Sequence, residues 1–242
     1  MPRFHVPEKL SPGTLVSLPA NAANHASRVL RMKVGDTAVL FNGDGNDYPC
    51  ELTRVSKGEV CTKITDVLTN HSESPLQITL VQAISSGDRM DFTIQKAVEL
   101  GVSRIQPVTS RRSIVKLSGE RAEKRVEHWQ NVVIAACEQC GRAVVPPVLP
   151  VQSLPEWLAH SDPHALKLLL APDATQNLSA LSAPTDPIHL LIGAEGGLAP
   201  DEISLAIEHG HTPIRLGKRI LRTETAALTA IASLQTLWGD FK

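Results

Sequence analysis

The sequence predicts an α/β fold with a mostly parallel sheet, preceded by a smaller β-rich unit. From about residue 75 onwards, short apolar runs alternate with longer amphipathic stretches, as expected where strands alternate with helices. The C-terminal part contains two glycine-bearing turns, each between an apolar run and a helix. Before about residue 66, strand-like runs are separated by glycine, proline and asparagine, which is typical of strands joined by turns.

The C-terminal part carries the strongest pattern. Ile188–Ile192 is an uncharged apolar run, typical of a strand that is buried on both faces. The glycines in 193–197 predict a turn, and a helix is expected over 200–209 because proline and acidic residues favour its first turn. The pattern then repeats, with a strand over 212–216 and a final helix whose N-cap is Thr223.

The remaining elements follow from periodicity and from glycine at helix ends. In the α/β part we expect strands over 76–84, 102–108 and 165–170, and helices over 88–100 and 118–140. The first of these helices should bury Phe92, Ala97 and Leu100.

The N-terminal part predicts a hairpin and one helix. Strands over 36–42 and 47–56 flank a Gly-Asp-Gly turn. The helix is expected over 21–32, with Asn21 as its N-cap and with a buried face made of Ala22, Ala26, Val29 and Leu30.

Composition places the chain in the ordinary globular class. Its 242 residues are 42% hydrophobic and can bury a sizeable core. No run approaches the roughly 20 apolar residues of a membrane helix, and the opening residues have no signal-peptide core, so we expect a cytoplasmic protein without a membrane partner. The net charge of -1 gives no global indication of nucleic-acid binding, so any RNA contact must be local.

Glycine turns at the carboxyl ends of parallel strands are where open α/β sheets bind ligands. The loop 193–197 lacks the third glycine of a dinucleotide motif and the GK[ST] ending of a triphosphate motif. Glu195 within it would repel a phosphate group. An adenosine-containing ligand that is cationic at this point, such as S-adenosylmethionine, fits the loop better.

Two runs in this region carry a family resemblance. LIGAEGG at 191–197 and LGKRILRTETA at 216–226 closely resemble the bacterial 16S ribosomal RNA uridine-N3 methyltransferases of the SPOUT superfamily. The usual family form has proline at the position of Ala194. The resemblance covers essentially the whole chain, since RF at 3–4, RVLR at 28–31, FTIQK at 92–96 and EQCGR at 138–142 also look like family signatures.

The resemblance implies a SPOUT-type methyltransferase domain with a trefoil knot over 75–242, preceded by a small PUA-like β-barrel over 1–68. It also implies S-adenosylmethionine as cofactor, 16S ribosomal RNA of the small subunit as substrate, and a homodimer. The end of the final helix, with Leu237 and Trp238, is a candidate dimer surface, although core packing explains these residues equally well. The residues implied to bind the cofactor lie in and around the two runs: Leu170, Leu191, Ile192, Gly193, Glu195, Gly196, Gly197, Leu216, Gly217, Ile220, Leu221, Thr225 and Ala226.

The implied reaction is attack of uridine N3 on the methyl carbon of a sulfonium. N3 carries a proton at neutral pH, so a base must remove it and a cation must stabilise the charge left on the uracil carbonyl oxygens. Arg222 and Glu224, at the entry to the last helix, are the first candidates, followed by Arg142. Each has an ordinary alternative, such as an ion pair or a helix-dipole contact.

RNA contacts are expected from basic residues, because an aromatic content of 3% argues against a base-stacking surface. Without the resemblance, a solvated surface explains these residues better than RNA binding, and the resemblance reverses that preference. The candidates fall in two clusters, one N-terminal and one central: Arg3, His25, Arg28 and Arg31, and then Arg111, Arg112 and Lys116.

Three alternatives remain open. The chain could methylate another RNA, such as tRNA, or it could be a catalytically silent RNA-binding protein. The CxxC formed by Cys137 and Cys140 could bind metal or act in redox chemistry, but it has no second CxxC and lies at the end of a predicted helix, so we expect packing and no metal.

Overall fold

A computed structural model of the chain describes residues 1–56, 58–113, 115 and 117–241. The chain divides into two compact units. The first contains Met1–Glu73 and Ile134–Val145, and the second contains Ser74–Val133 and Pro146–Lys242. Because Ile134–Val145 belongs to the first unit but lies between two segments of the second, no single boundary along the chain separates the two units.

The first unit is built on a six-stranded sheet in the order β1-β3-β4-β5-β2, with β6 paired to β4. The predicted hairpin is confirmed, since β3 and β4 pair antiparallel and the turn between them has Gly43 and Gly45 at φ of 94° and 87°. The strands are β1 (Arg3–His5), β2 (Leu15–Ser17), β3 (Thr37–Phe41), β4 (Asn46–Ser56), β5 (Glu59–Ile64) and β6 (Leu68–Thr69).

The helix predicted over 21–32 differs from the observed one. Helix α1 is Ala20–Asn24, with Pro19 as N-cap in place of Asn21, and a π-helical turn over His25–Val29 follows it. A π turn is wider than an α turn, so an α-helical period no longer assigns the buried face correctly. Ala22 and Ala26 are buried as predicted, but the predicted burial of Val29 and Leu30 is wrong, because they are 69% and 42% exposed.

The second unit contains a six-stranded sheet in the order β12-β10-β11-β7-β8-β9, in which every neighbouring pair is parallel. The predicted parallel sheet is thus confirmed. The strands are β7 (Ile78–Ala83), β8 (Arg104–Thr109), β9 (Gln152–Ser153), β10 (Leu166–Leu170), β11 (Ile188–Ile192) and β12 (Thr212–Ile214). β7 and β11 are buried along their whole length, as expected for central strands covered on both faces.

Helices connect these strands: α2 (Asp88–Glu99), α3 (Gly119–Cys140), α4 (Leu154–His160), α5 (Pro200–Glu208) and α6 (Thr223–Trp238). Helix α4 was not predicted, although Ser153 and Glu156 form a capping box at its start. Phe92 was predicted in the core and is instead 46% exposed. The N-cap of α6 is Arg222, so the prediction of Thr223 was wrong by one residue. Within the described residues, no helix is both long enough and apolar enough to span a membrane.

A buried histidine lies beneath α4, and it gives the second unit a pH-dependent stability. His211 is 2% exposed, its Nδ1 donates a 3.1 Å hydrogen bond to the carbonyl oxygen of Ala206, and its ring packs 5.7 Å from that of Trp157. Burial, together with the nearby charges of Lys167, His189 and His209, lowers the pKa of His211 to about 4, although the bond to Ala206 acts in the opposite direction. The fold therefore favours the neutral ring.

We expect the second unit to lose stability as the pH falls from about 6.5 to about 4, because only the unfolded chain then takes up this proton. Between pH 7 and pH 5 the loss should be about 2 kcal/mol. Urea denaturation followed by tryptophan fluorescence measures it, because Trp129, Trp157 and Trp238 all belong to this unit.

His211→Gln should flatten this pH dependence, whereas the control His164→Gln, at an exposed histidine, should keep it. The same slope in His211→Gln as in the parent would show that other groups cause it.

Candidate functional site

A cavity of about 430 Å³ lies at the carboxyl ends of β10, β11 and β12. Three stretches of chain line it, each directly after one of these strands, and the first turn of α6 contributes as well. This is the edge at which parallel sheets bind ligands. The lining includes ten of the predicted cofactor residues: Leu170, Ile192, Gly193, Glu195, Gly196, Gly197, Leu216, Ile220, Leu221 and Ala226.

Three predicted cofactor residues are not part of this lining. Leu191 is fully buried within β11, Thr225 is exposed on α6, and Gly217 turns the chain at a φ of 81°. The prediction also missed residues that do line the cavity, among them Ala171, Pro172 and Asp173 after β10. Their position after a buried strand is a signal that could have identified them.

The glycine loop, residues 193–197, folds back on itself. The Gly197 N–H donates a 2.9 Å hydrogen bond to the carbonyl oxygen of Ala194, which closes a tight turn. A Cβ added to Gly193 would lie 2.8 Å from the carbonyl carbon and 2.9 Å from the Cα of Gly197. Only glycine at position 193 therefore allows the two ends of this loop to approach so closely.

Glu195 holds the glycine loop in place. Its Oε1 accepts hydrogen bonds from the backbone N–H of Ser86 at 2.9 Å, from Ser86 Oγ at 2.6 Å and from Arg89 at 3.1 Å. Burial raises the pKa of this carboxyl, but the bonds from Ser86 and Arg89 outweigh it and lower the pKa to about 2. Glu195 is thus ionised at neutral pH, and its Oε2 is buried with no hydrogen-bond partner among the described residues.

Arg111 and Arg112 fix the loop after β8 to the glycine loop and to α5. The Arg111 backbone N–H donates to Glu202 Oε1 at 2.8 Å, and its guanidinium pairs with Asp201 at 2.7 Å. Arg112 lines the cavity, and its Nη1 donates a 2.9 Å bond to the Gly196 carbonyl oxygen. Lys116, the third member of this predicted RNA cluster, lies outside the described residues.

The predicted catalytic pair lies at the start of α6. Arg222 is the N-cap residue and is exposed to solvent. Glu224 is partly buried, and its Oε2 has no hydrogen-bond partner in the part of the chain that the structure describes. Thr223, between them, lines the cavity. Both candidates therefore lie within one residue of the cavity wall.

Arg142 and Arg3 belong to a polar network in the first unit. Arg142 makes a two-point ion pair with Glu73, with distances of 3.0 Å and 2.5 Å. Arg3 pairs with both carboxylate oxygens of Asp47 and donates a 3.2 Å bond to the Arg142 carbonyl oxygen. Arg142 is 4% exposed, so this network fixes its position within the first unit.

The other N-terminal RNA candidates lie on or directly after the π-helical turn. His25 and Arg28 are within the turn, Arg31 follows it, and all three are exposed. Arg31 has a φ of 53°, the one non-glycine residue with positive φ in the described part of the chain. A π turn and a left-handed residue are both uncommon features that occur frequently at functional sites.

Cys137 of the CxxC is fully buried, and burial raises the pKa of its thiol to about 12. A thiol in this state is neither a nucleophile nor a metal ligand at neutral pH. Among the described residues, no group of three or more His, Cys, Asp or Glu side chains is arranged to hold a metal ion.

The cavity suits an adenosine-containing cation. Its wall combines apolar side chains with a close glycine backbone and with two acidic residues, Asp173 and Glu195. Glu195 is ionised, and its negative charge beside the cavity favours a positive ligand. These features fit S-adenosylmethionine better than a phosphate-rich ligand.

The fold and this cavity define an RNA methyltransferase. The family model described as RNA methyltransferase domain matches residues 72–235, and a second, described as RNA methyltransferase PUA domain, matches residues 18–65. The chain belongs to this RNA methyltransferase family, with its PUA domain at the N-terminal side.

Individual relatives agree over the whole length. The chain is 33% identical to ribosomal RNA small subunit methyltransferase E of Buchnera aphidicola, over 100% of this chain and 96% of the relative. It resembles the crystal structure of ribosomal RNA small subunit methyltransferase E from Neisseria gonorrhoeae bound to S-adenosyl methionine, with 48% identity, a TM-score of 0.94 and full coverage of both chains. A methyltransferase from Legionella pneumophila in complex with the same cofactor is 41% identical, with a TM-score of 0.94 and coverage of 99% and 98%.

Proposed function

We propose that the protein is an S-adenosylmethionine-dependent methyltransferase that acts on N3 of a uridine in 16S ribosomal RNA of the small subunit. The observation that carries this proposal is the cavity formed by the glycine loop, which combines close backbone approach with ionised Glu195. The relatives named for small-subunit ribosomal RNA, one of them bound to S-adenosyl methionine, support the substrate and the cofactor. A ribosomal substrate implies a cytoplasmic location.

S-adenosylmethionine supplies an electrophilic methyl group when bound. The residues of the chain have three tasks: to hold the cofactor, to take the N3 proton, and to stabilise negative charge on the uracil carbonyl oxygens. We assign the first task to the cavity wall. Glu224 takes the proton, because its Oε2 lacks another partner within the described residues, and Arg222 stabilises the charge from its solvent-facing position.

We also propose a catalytic role for Arg142, in which it contacts the target uridine. Its guanidinium is held by Glu73, so it would act as a fixed cation for the base or its phosphate. We assign the remaining RNA contacts to Arg3, to the exposed residues of the π-helical turn, and to the basic loop after β8. We further propose that the two domains span residues 1–68 and 75–242 and that the second domain contains a trefoil knot.

The proposed active form is a homodimer that uses the end of α6. Leu237 on α6 is 42% exposed, and Phe92 on α2, the helix that packs against α6, is 46% exposed. Exposed apolar side chains of this size are common where a second chain covers them.

Leu237→Glu should weaken the dimer by at least about tenfold, because a carboxylate would be buried in an apolar contact. Sedimentation velocity over a range of concentrations measures this change. Thr236→Glu is the matched control, since Thr236 is exposed and polar already. A parent chain that sediments as a monomer at all concentrations would contradict the dimer.

The direct test of the function uses labelled S-adenosylmethionine and purified small ribosomal subunits that lack the modification. We expect transfer of label to 16S ribosomal RNA and recovery of 3-methyluridine after digestion. Transfer of label to tRNA alone would show that the proposed substrate is wrong and that the proposed cofactor is right. The absence of both transfer and cofactor-dependent stabilisation would favour a silent RNA-binding protein.

A further inference from the structure

Three elements of the second unit meet at one hydroxyl group, that of Thr223. Thr223 is the first residue of α6 and is 6% exposed, and its Oγ1 donates a 2.6 Å hydrogen bond to the carbonyl oxygen of Gly193. The same oxygen accepts a 3.0 Å bond from Nε2 of Gln82, a fully buried residue near the end of β7. The hydroxyl thus joins β7, the glycine loop and α6.

The direction of each hydrogen bond in this junction follows from the neighbouring groups. Nε2 of Gln82 lies 3.0 Å from the carbonyl oxygen of Ala83 and 3.4 Å from that of Gly193. Carbonyl oxygens only accept hydrogen bonds, so the amide must turn its NH₂ group towards them. Gln82 therefore donates to the Thr223 hydroxyl, whose own proton is left for Gly193.

The junction lies at the switch point of the sheet. β7 and β11 are neighbours, but the chain continues from β7 to β8 on one side and from β11 to β12 on the other. Ligands of open parallel sheets bind in the crevice that such a divergence creates. Gly193 and Thr223 both line the cavity, and Gln82 supports them from within the sheet.

The position of Thr223 links the cofactor loop to the catalytic candidates. Its neighbours in the chain are Arg222 and Glu224, and no side chain caps the start of this helix. Gly193, at the other end of the bond, lies so close to the backbone of Gly197 that an added Cβ would meet the Gly197 carbonyl carbon at 2.8 Å. The hydroxyl therefore sets the distance between the loop and the first turn of α6.

We propose that Thr223 and Gln82 are positioning residues, which hold Arg222 and Glu224 at a fixed distance from the cofactor loop. Although Thr223 lines the cavity, its hydroxyl is engaged by Gly193 and Gln82, so this link serves the alignment of the reacting groups more than the binding of the cofactor. Small errors of alignment are costly to turnover. The inference rests on the proposed function, because it concerns the geometry of methyl transfer.

The first test compares Thr223→Val, which keeps the shape but removes the hydroxyl, with Thr223→Ser, which keeps the hydroxyl. We expect kcat of Thr223→Val to fall about 100-fold, while the dissociation constant of S-adenosylmethionine and KM for small subunits change less than about threefold. Thr223→Ser should recover most of kcat. Gln82→Met, which leaves the bond to Gly193, should lose about tenfold.

Thr236→Val is the matched control, because the Thr236 hydroxyl donates to the carbonyl oxygen of Ala232 in the same helix and the side chain is exposed. Its kcat should equal that of the parent. Equal kcat in Thr223→Val and the parent would overturn the inference, as would a loss that Thr223→Ser fails to recover.

Hydrogen exchange tests the link independently of activity. In Thr223→Val without cofactor, the peptide over 222–228 should exchange roughly tenfold faster than in the parent, because the first turn of α6 opens more easily. Peptides over α2 should be unchanged. Unchanged exchange over 222–228 would contradict the link even if the parent failed to methylate small subunits, a failure that would by itself contradict only the proposed function.

Discussion

Gly193→Ala should weaken S-adenosylmethionine binding by roughly 10- to 100-fold, the equivalent of about 1–3 kcal/mol of overpacking. The added methyl group would meet the Gly197 carbonyl carbon at 2.8 Å and the Leu198 nitrogen at 3.0 Å. Both are backbone atoms of the same tight turn, so the clash can be relieved only by opening the loop that forms the cavity wall.

Gly196→Ala provides a matched control in the same loop. Its added methyl group would meet Arg112 Cβ at 3.2 Å and Cδ at 3.5 Å, a contact that a shift of a few tenths of an ångström relieves. We expect an affinity within about threefold of the parent. Isothermal titration calorimetry measures both variants, and equal affinities for the two would show that the backbone contact at Gly193 does not shape the site.

The central strands could be predicted from the sequence because they are buried on both faces. Ile188–Ile192 is a strand with the predicted bounds, since an uncharged apolar run between glycine and proline has few other conformations available. Phe92 shows the limit of the same reasoning. It is apolar and on a helix, yet it is 46% exposed, and local periodicity carries no information about what covers that face.

The predictions for two short elements, the first helix and α4, were wrong for local reasons. The predicted face of the first helix assumed 3.6 residues per turn, and the π turn at His25–Val29 breaks that period. Helix α4 has only seven residues, so the apolar period within Leu154–His160 is too short to stand out, although its capping box is readable in the sequence.

The parts of the candidate site that consist of backbone could be predicted from the sequence. The parts that depend on hydrogen bonds between residues far apart in the sequence could not. The glycine loop could be identified from its composition. The partners of Glu195 could not be identified in this way, because its Oε1 is held by Ser86 and Arg89, more than 100 residues earlier in the chain. The bond between Gln82 and Thr223 spans 141 residues in the same way. Such pairs follow from the order of strands in the sheet, which local patterns do not encode.

Arg222→Ala should lower kcat by roughly 10²- to 10³-fold while leaving S-adenosylmethionine binding unchanged, because a cation that stabilises charge only in the transition state contributes nothing to cofactor affinity. Arg222 is exposed at the start of α6 and has no side-chain role in capping that helix. Its removal should therefore cost little stability, and a lower kcat can be attributed to chemistry.

Single-turnover methylation of small subunits, with enzyme in excess, separates this chemical step from product release. Lys218→Ala is the control, since Lys218 is an exposed cation in the same connecting loop and should lose less than about threefold if only general attraction to RNA is at stake. Arg222→Lys should recover part of the rate, because an ammonium group keeps the positive charge but cannot form the bidentate hydrogen bonds of a guanidinium. Unchanged turnover in Arg222→Ala would remove this residue from the mechanism and leave Arg142 as the remaining candidate for that role.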